Sequence, residues 1–327
     1  MKMRNMVAVF CMLFLTSSLL VGCGGKKNGD SGTNTKPTDQ TTDIVEAKFA
    51  DVKPTIDGKD TDELWQTIEA KTIVLDAQNT FDMKSSYDND NVYFLFKWIS
   101  PEKAPPSLGS WFKKDGKWNW EFVSDSFSIL WDASKIPDFA AKGCTPLCHQ
   151  ESTDLNHRYM GTANPTDIEE VWEWTPGVTN QKNIMAPYLI VALPDGVTYE
   201  DENFDNKATW EHLPGEYGYH RNRAKDAIAP AEQIVGDKAP FYIINDKPAS
   251  GDAGMVKATG TYEEPFYILE VARPRTPANT NLLQFNVSDN GWLDTLFGVA
   301  IHYKTERDNH KTMSLGATYR MVGKNAK

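Results

Sequence analysis

The sequence predicts an all-β protein that folds as an antiparallel β-sandwich. Three observations lead to this prediction: short runs in which apolar residues alternate, turn signals between these runs, and no long stretch with the period of an amphipathic helix. The clearest run extends from Val92 to Trp98, where every even-numbered residue is apolar and would share one strand face, with Lys97 on the other. One short helical turn is expected near Asp60 to Ile68.

Further strands and turns follow the same pattern along the chain. The additional strand predictions are Ser126 to Trp131, Tyr188 to Leu193, Phe241 to Asn245, Phe266 to Ala272, Leu296 to Tyr303 and Ser314 to Met321. Turns are predicted at Asp57-Gly58, Asp115-Gly116, Pro194-Asp195-Gly196 and Asp289-Asn290-Gly291. The loops at 132–187 and 200–240 are longer than a compact domain normally leaves without a function, so we expect them to be functional or ordered by a ligand.

Composition excludes several classes of protein. The chain has 327 residues, of which 40% are hydrophobic, so it can bury a large core and is neither a disordered chain nor a disulfide-stapled miniprotein. Its 34 Lys+Arg and 45 Asp+Glu residues give a net charge of −11. Nucleic-acid binding is therefore not expected, because it needs clustered basic residues to neutralise phosphates.

The N-terminus resembles the signal peptide of a bacterial lipoprotein. Lys2 and Arg4 precede the apolar stretch Val7 to Leu20, which is too short for a transmembrane helix. The stretch ends in Leu20-Val21-Gly22-Cys23, which is similar to a lipobox, where the cysteine thiol is acylated before the signal is removed. We therefore predict that residues 1–22 are a cleaved signal and that Cys23 carries lipid; ordinary secretion is the alternative.

A polar tether is predicted to follow the lipid anchor. Residues 23–43 are rich in Gly, Ser, Thr, Asn, Asp and Lys and show no periodicity, as is typical of a flexible linker. We expect a single domain at 44–327, held outside the cytoplasm and attached to a membrane through the lipid alone. Cleavage removes two positive charges and no negative ones, which changes the net charge from −11 to −13.

The chain has four cysteines, of which Cys11 lies in the predicted signal and Cys23 is the predicted lipid site. The other two lie in one short motif, Gly143-Cys144-Thr145-Pro146-Leu147-Cys148-His149. Covalent attachment of haem needs two thiols for its vinyl groups and a histidine directly after the second thiol to ligate iron. The usual spacing has two residues between the cysteines, whereas this motif has three. We predict that Cys144 and Cys148 hold one haem c and that His149 is its proximal axial ligand. A local disulfide is the alternative, and a zinc site matches less well.

A series of short segments follows in order along almost the whole predicted mature chain. They are Pro54-Thr55-Ile56-Asp57-Gly58, Glu63-Leu64-Trp65, Ser86-Tyr87-Asp88, Asp125-Ser126-Phe127, Met160-Gly161, Val171-Trp172-Glu173-Trp174, Val271-Ala272-Arg273-Pro274, Gly298-Val299-Ala300 and His310-Lys311-Thr312. Together they resemble the haem-binding subunit family of ethylbenzene dehydrogenase, which includes the haem subunit of dimethylsulfide dehydrogenase. The resemblance implies a β-sandwich related to carbohydrate-binding modules, with one haem between loops at an end of the sheets.

The resemblance also implies ligands for the iron. In b-type members a methionine and a lysine hold it; Met160 matches the methionine, and Lys311 falls where the lysine is found. This chain adds the Cys-x-x-x-Cys-His motif before Met160, as a c-type branch does, so His149 takes one axial position. Met160 is the first candidate for the other, because a thioether raises the haem potential, and His310 or Lys311 is the alternative. A methionine that only fills a gap in the core is the structural alternative for Met160.

Other features are expected to be structural. The tryptophans at 111, 118 and 120 would suit a sugar or a haem edge, but sandwich core or strand surface is the simpler expectation. Glu169 and Glu170 point to opposite faces of a strand, so we expect them to be solvated and not to form an acid–base pair. The sequence has neither a nucleophile elbow nor a Gly-rich phosphate loop, and we expect no catalytic residue.

These observations predict an exported, lipid-anchored monohaem c-type cytochrome that transfers electrons in an extracytoplasmic respiratory chain and is not itself an enzyme. The expected partners are other redox proteins, either cytochromes or, by the family resemblance, a molybdenum oxidoreductase. The acidic surface would favour transient, salt-dependent encounters with basic faces of these partners. The alternative is a carbohydrate-binding lipoprotein module without haem, in which Cys144 and Cys148 would form a disulfide.

Overall fold

The computed structural model describes residues 43–75, 79–100, 106–121, 124–147, 160–193, 209–225, 227–302, 312–313 and 316–326. Strands dominate these ranges, and the predicted all-β fold is confirmed. Within the same ranges, no helix is long and apolar enough to cross a membrane.

The strands are numbered in chain order. They are β1 Ile44–Phe49, β2 Lys71–Val74, β3 Thr80–Tyr87, β4 Asn91–Ile99, β5 Ser110–Lys114, β6 Lys117–Glu121, β7 Ser126–Asp132, β8 Glu169–Trp174, β9 Ala186–Ile190, β10 Trp210–His212, β11 Gly215–Glu216, β12 Tyr219–Arg221, β13 Lys238–Pro240, β14 Tyr242–Ile244, β15 Ser250–Gly251, β16 Lys257–Glu263, β17 Phe266–Pro274, β18 Trp292–His302, β19 Thr312–Met313 and β20 Ala317–Val322. Two short α-helices, α1 Glu63–Thr67 and α2 Phe139–Lys142, and two 3-10 helices, Thr179–Lys182 and Asp252–Gly254, accompany them in the described residues.

One large sheet curls until its two halves face each other. Along its main path the strand order is β10-β9-β8-β7-β18-β20-β1-β3-β4-β17-β16, with β19 paired to β18 and β2 paired to β3. Strands far apart on this path are in contact: Trp98 of β4 stacks on Phe127 of β7 with ring centroids 5.1 Å apart, and Phe94 of β4 lies 5.8 Å from Trp172 of β8. The sandwich is therefore one continuous sheet folded onto itself.

Strand β1 departs from the predicted antiparallel pairing. It lies between β20 and β3 and runs parallel to both, so the sheet is mixed. The chain passes from β1 to β3 through α1 and β2 instead of a tight hairpin, and a crossover of this kind is what parallel neighbours require.

The predicted strands are found in their expected places. Strands β4, β7, β9, β14, β17, β18 and β20 overlap the seven predicted runs, and α1 lies within the predicted helical turn. Some bounds differ; β9 ends at Ile190 and not at Leu193. Strands β3 and β8 escape the sequence prediction because residues such as Asp82, Lys84 and Glu169 interrupt their apolar pattern.

Side chains on strands β18, β7, β8 and β9 alternate between two surfaces. Phe127, Ile129 and Trp131 of β7 point into the aromatic interior between the halves of the sheet. The residues between them point the other way, so that Leu130 of β7 joins Val171 of β8 in a second apolar cluster. We call this second surface of the four strands the outer face.

An ion pair is buried in the interior. Arg273 of β17 and Glu170 of β8 lie far apart along the sheet path, yet Nη2 and Oε2 are 2.8 Å apart and both side chains are fully buried. Glu170 also accepts hydrogen bonds from Trp172 Nε1 at 2.6 Å and Leu283 N at 2.7 Å. The expectation that Glu169 and Glu170 are solvated is wrong: the two residues do occupy opposite faces, but both faces are covered, and both residues are 0% exposed.

Replacing one member of this ion pair should be strongly destabilising. Arg273→Met leaves the Glu170 carboxylate buried without its cation, so we expect the free energy of unfolding to fall by about 3–5 kcal/mol. The double variant Arg273→Met with Glu170→Gln should recover part of this loss. Lys71→Ala, which removes the exposed Lys71–Asp43 pair, is the control and should change the value by less than about 1 kcal/mol. Urea denaturation of the wild type and the three variants measures these changes; equal losses in Arg273→Met and Lys71→Ala would contradict the expectation.

Two buried carboxylates hold the segment that leads from β7 into α2. The carboxylate of Glu169 accepts hydrogen bonds from the backbone N–H groups of Ala133 at 2.7 Å and Ser134 at 3.1 Å. Asp132 Oδ1 accepts one from the backbone N–H of Ile136 at 2.6 Å. Burial, reinforced by the neighbouring charge of Asp132, raises the pKa of Glu169 to about 8. These contacts fix the start of α2, which precedes the cysteine motif.

The raised pKa of Glu169 should make stability depend on pH. Since this pKa lies above the ordinary value of 4.5, the folded protein holds a proton that the unfolded chain releases. The free energy of unfolding should therefore fall as the pH rises from about 5 to 8, by at most about 1.4 kcal/mol per pH unit. Glu169→Gln should flatten this decline, and the exposed Glu263→Gln should not. Urea denaturation at several pH values tests it; an unchanged slope in Glu169→Gln would assign the effect to another group.

Candidate functional site

The first half of the cysteine motif forms a tight turn after α2. The helix ends where the N–H of Gly143 donates to the carbonyl of Phe139 at 2.7 Å, and Gly143 adopts φ +57°, a conformation that favours glycine. The next turn closes with a hydrogen bond from Leu147 N to Cys144 O at 3.0 Å. Cys144 and Leu147 are both buried, with Cys144 6% exposed. The motif thus starts against the protein and not in an exposed loop.

Two glycines face the segment from α2 to Cys144. A Cβ atom at Gly316 would overlap the carbonyl oxygen of Phe139, so a larger residue at this position would push α2 away from the outer face. A Cβ atom at Gly298 of β18 would stand 3.4 Å from Cys144 N, which is an ordinary van der Waals contact. Cys144 therefore lies directly over Gly298.

Met160 lies beside the motif, although it is separated from it in sequence. The N–H of Gly161 donates to the carbonyl of Leu147 at 3.0 Å, and the N–H of Thr162 donates to the carbonyl of Val191 at 3.2 Å. The partly buried Met160 packs against the cluster that contains Cys144 and Leu147. Of the predicted site residues, the structure therefore brings Cys144 and Met160 together.

We call this group the outer-face cluster. Its buried members are Leu130, Phe139, Cys144, Leu147, Val171, Ile184, Ala186, Tyr188, Ile190, Tyr217 and Ala253. The other predicted site residues, Cys23, Cys148, His149, His310 and Lys311, lie outside the described residues. Within the described part of the chain, Thr312 of β19 pairs with Ile301 near the end of β18.

An aromatic pocket adjoins the outer-face cluster. It has a volume of about 410 Å³, and its walls include Tyr188, Trp210, Tyr217, Tyr219 and Tyr242. The rings of Tyr188 and Tyr217 stack with centroids 5.5 Å apart, and the hydroxyl groups of Tyr188 and Tyr219 are 2.9 Å apart. From the sequence we expect only that the loop at 200–240 is functional or ordered by a ligand. The alternation of Tyr217 and Tyr219 is the sequence signal that could have indicated this wall of the pocket.

Charged side chains also line the aromatic pocket. Arg221, Arg223 and Lys225 are positive, and Glu173 of β8 contributes a carboxylate. Burial raises the pKa of Glu173 to about 7, although the charge of Arg221 acts in the opposite direction. Burial also raises the pKa of Tyr188 and Tyr219, which keeps both phenols protonated. The lining therefore combines planar apolar rings with several cations and one carboxylate.

The tryptophans at 111, 118 and 120 lie elsewhere, on the β5–β6 hairpin. Trp111 is buried, and Trp120 stacks on Phe241 with ring centroids 4.8 Å apart. Trp118 lies under the Lys113 ammonium group, 5.1 Å from it. The expectation that these rings are structural agrees with this packing.

The chain is similar in structure to several solved proteins. A search of the curated proteins finds no match. Among solved structures, a carbohydrate binding module of family 9 from Caldicellulosiruptor kristjanssonii in complex with cellotriose is 11% identical, covering 86% of this chain and 94% of that chain with a TM-score of 0.36. The same kind of module in complex with glucose is 10% identical, with coverages of 86% and 96% and a TM-score of 0.36. These likenesses concern the fold alone.

The family comparison covers the site itself. The family model described as ethylbenzene dehydrogenase matches residues 62–312, a range that contains the cysteine motif, Met160 and Lys311. Because this match spans well over half of the chain, the protein belongs to the ethylbenzene dehydrogenase family.

Proposed function

We propose that this chain is an exported, lipid-anchored monohaem c-type cytochrome that passes electrons between redox proteins outside the cytoplasm. The observation that carries the proposal is the packing around Cys144, where the first cysteine of a haem-attachment motif is buried in one cluster with Leu147 and Met160 packs against that cluster. Membership in a family linked to an oxidoreductase complex supports it.

The donor set on the outer face suits a covalently bound haem. Cys144 offers a thiol that can bond a vinyl group of the haem, and Met160 offers a thioether, a soft donor that can ligate iron. From Leu147 the chain continues directly to Cys148 and His149. Cys144 and Cys148 would hold the group through thioether bonds, His149 would be one axial ligand, and Met160 would be the other, with His310 and Lys311 as alternatives.

The chain's own contribution would be to bury the group and tune its potential. When bound, haem supplies one-electron chemistry at its iron. The apolar outer-face cluster would exclude water on one side, because Leu130, Val171 and Ile190 are all buried there. A low dielectric and a thioether ligand both favour the reduced, less charged iron.

Transient encounter with other redox proteins would fit the charge of the chain. The net charge of −11 favours approach to basic surfaces, and such attraction weakens as salt is added. We propose other cytochromes or a molybdenum oxidoreductase as partners, and a non-catalytic electron-transfer role for this chain beside them.

A carbohydrate-binding module without haem is the second candidate. The walls of the aromatic pocket favour it, because rings such as Trp210 and Tyr217 are the side chains on which sugar rings stack. The two candidates differ in whether Cys144 and Cys148 carry a cofactor.

Covalent haem can be tested directly. Protein made with a c-type maturation system should retain a haem-stained band at its own mass after denaturing electrophoresis, because thioether bonds survive denaturation. Cys144→Ala with Cys148→Ala should abolish the band, and His149→Ala should abolish the low-spin spectrum. Cys23→Ser should keep the band and move the protein from the membrane fraction to the soluble one. A colourless wild-type protein would overturn the cytochrome proposal and favour the carbohydrate-binding module.

The second axial ligand can be identified by its effect on the potential. If Met160 ligates the iron, Met160→His should keep a low-spin spectrum but lower the midpoint potential, since methionine raises the potential relative to histidine. Met185→Leu, a near-isosteric change of a methionine in the other core cluster, is the matched control and should leave the potential unchanged. A shift in His310→Ala or Lys311→Ala, with none in Met160→His, would place the ligand in the C-terminal segment.

A further inference from the structure

The proposed function assigns no role to the aromatic pocket. The pocket nevertheless shares side chains with the outer-face cluster that contains Cys144. Tyr188 and Tyr217 belong to the outer-face cluster together with Cys144, and Trp210 and Tyr219 pack against that cluster. All four aromatic residues line the pocket. A group attached at Cys144 would therefore have the pocket next to it.

Strand register gives the distance from Gly298, which lies next to the cysteine motif, to Glu173, which lines the pocket. Gly298, which lies under Cys144, pairs with Leu130, and Leu130 pairs with Val171 of β8. Glu173 lies on the same face, two residues further along β8. Two strand spacings and two residues correspond to about 12 Å across the outer face.

The side chains around Glu173 on this face are short. In its row across the sheet, Glu173 pairs with Ser128 of β7 and Ala186 of β9, and Ser128 pairs with Ala300 of β18. Ser128, Ala186 and Ala300 project little from the sheet. The sheet itself therefore contributes little side-chain bulk along this row, which includes Glu173 of the pocket lining.

Charge indicates what the pocket accepts. Arg221, Arg223 and Lys225 line it in a protein whose net charge is −11, so the pocket is a local concentration of positive charge. The aromatic walls suit a planar apolar body, and the cations suit carboxylates at its edge. Trp210 Nε1 is buried and has no hydrogen-bond partner in the part of the chain that the structure describes, so it offers one further donor.

We propose that the aromatic pocket receives the propionate edge of the haem, with Arg221 and Arg223 pairing with the propionate carboxylates. This inference rests on the proposed function. The vinyl groups and the propionates stand on opposite sides of the porphyrin, so attachment to Cys144 and Cys148 would direct the propionates away from the motif. The pocket adjoins the outer face, and Glu173 of its lining is about 12 Å from Gly298.

Charge-removing variants test the assignment through the midpoint potential of the haem-loaded protein at pH 9. Arg221→Gln with Arg223→Gln removes positive charge near the iron, favours the oxidised state and should lower the potential. Glu173→Gln removes negative charge and should raise it. We expect about a tenfold change in the ratio of oxidised to reduced protein at fixed ambient potential, which is about 59 mV for one electron. Lys247→Gln, which removes an exposed cation paired with Glu216 outside the pocket, should leave the potential unchanged.

The outcomes separate this inference from the proposed function. A haem-stained protein whose potential is the same in the Arg and Glu173 variants as in the wild type would overturn the pocket assignment and leave the cytochrome proposal intact. A protein without covalent haem would remove both. The low-spin spectrum checks folding, and Glu173→Gln alone remains decisive if the double Arg variant does not fold.

A sugar is the competing ligand for the pocket, and calorimetric titration of the haem-loaded protein with cellotriose decides between the two. We expect no binding. Saturable binding that Trp210→Ala abolishes would assign the pocket to a glycan and overturn the inference.

Discussion

The buried contact between Arg273 and Glu170 is the constraint on which the rest of the structure depends. It joins β17 to β8 across the interior, although many strands separate them along the sheet path. A buried charge is tolerated only when it is paired and its remaining hydrogen-bonding capacity is used, and Glu170 meets this condition through Trp172 and Leu283 as well as Arg273. The pair therefore links the two halves of the sheet and favours the arrangement in which Glu170 of β8 faces inward.

Once β8 is fixed in this way, its other residues are assigned to the outer face. Glu170 and Trp172 face the interior, so Glu169, Val171 and Glu173 must face outward. Glu169 holds the loop that leads to the cysteine motif, Val171 contributes to the outer-face cluster, and Glu173 forms the floor of the aromatic pocket. A single strand thus connects the stability of the sandwich to the position of the site.

The sequence signal was sufficient for a local feature and insufficient where the feature depends on register. The strand from Val92 to Trp98 is contained in a few consecutive residues, and its prediction is confirmed. The cysteine motif is equally local, and the roles of Cys144, Cys148 and Met160 in holding haem stay predictions. By contrast, the burial of Glu170 requires Arg273, more than a hundred residues away. The contact between Gly298 and Cys144 and the pocket around Tyr217 likewise form only when distant strands and loops come together, so a single sequence could not reveal them.

The positive pocket has a physical rationale in an acidic protein. A haem attached at Cys144 would bring two carboxylates onto the outer face, where Glu173 already carries a carboxyl group and the whole chain has a net charge of −11. Carboxylates placed there without cations would repel one another and would lose hydration as the site closes. Arg221, Arg223 and Lys225 would offset this repulsion at the edge of the haem that carries the carboxylates. Under this proposal, the pocket is opposite in sign to the protein because the edge of the haem that it would receive is anionic.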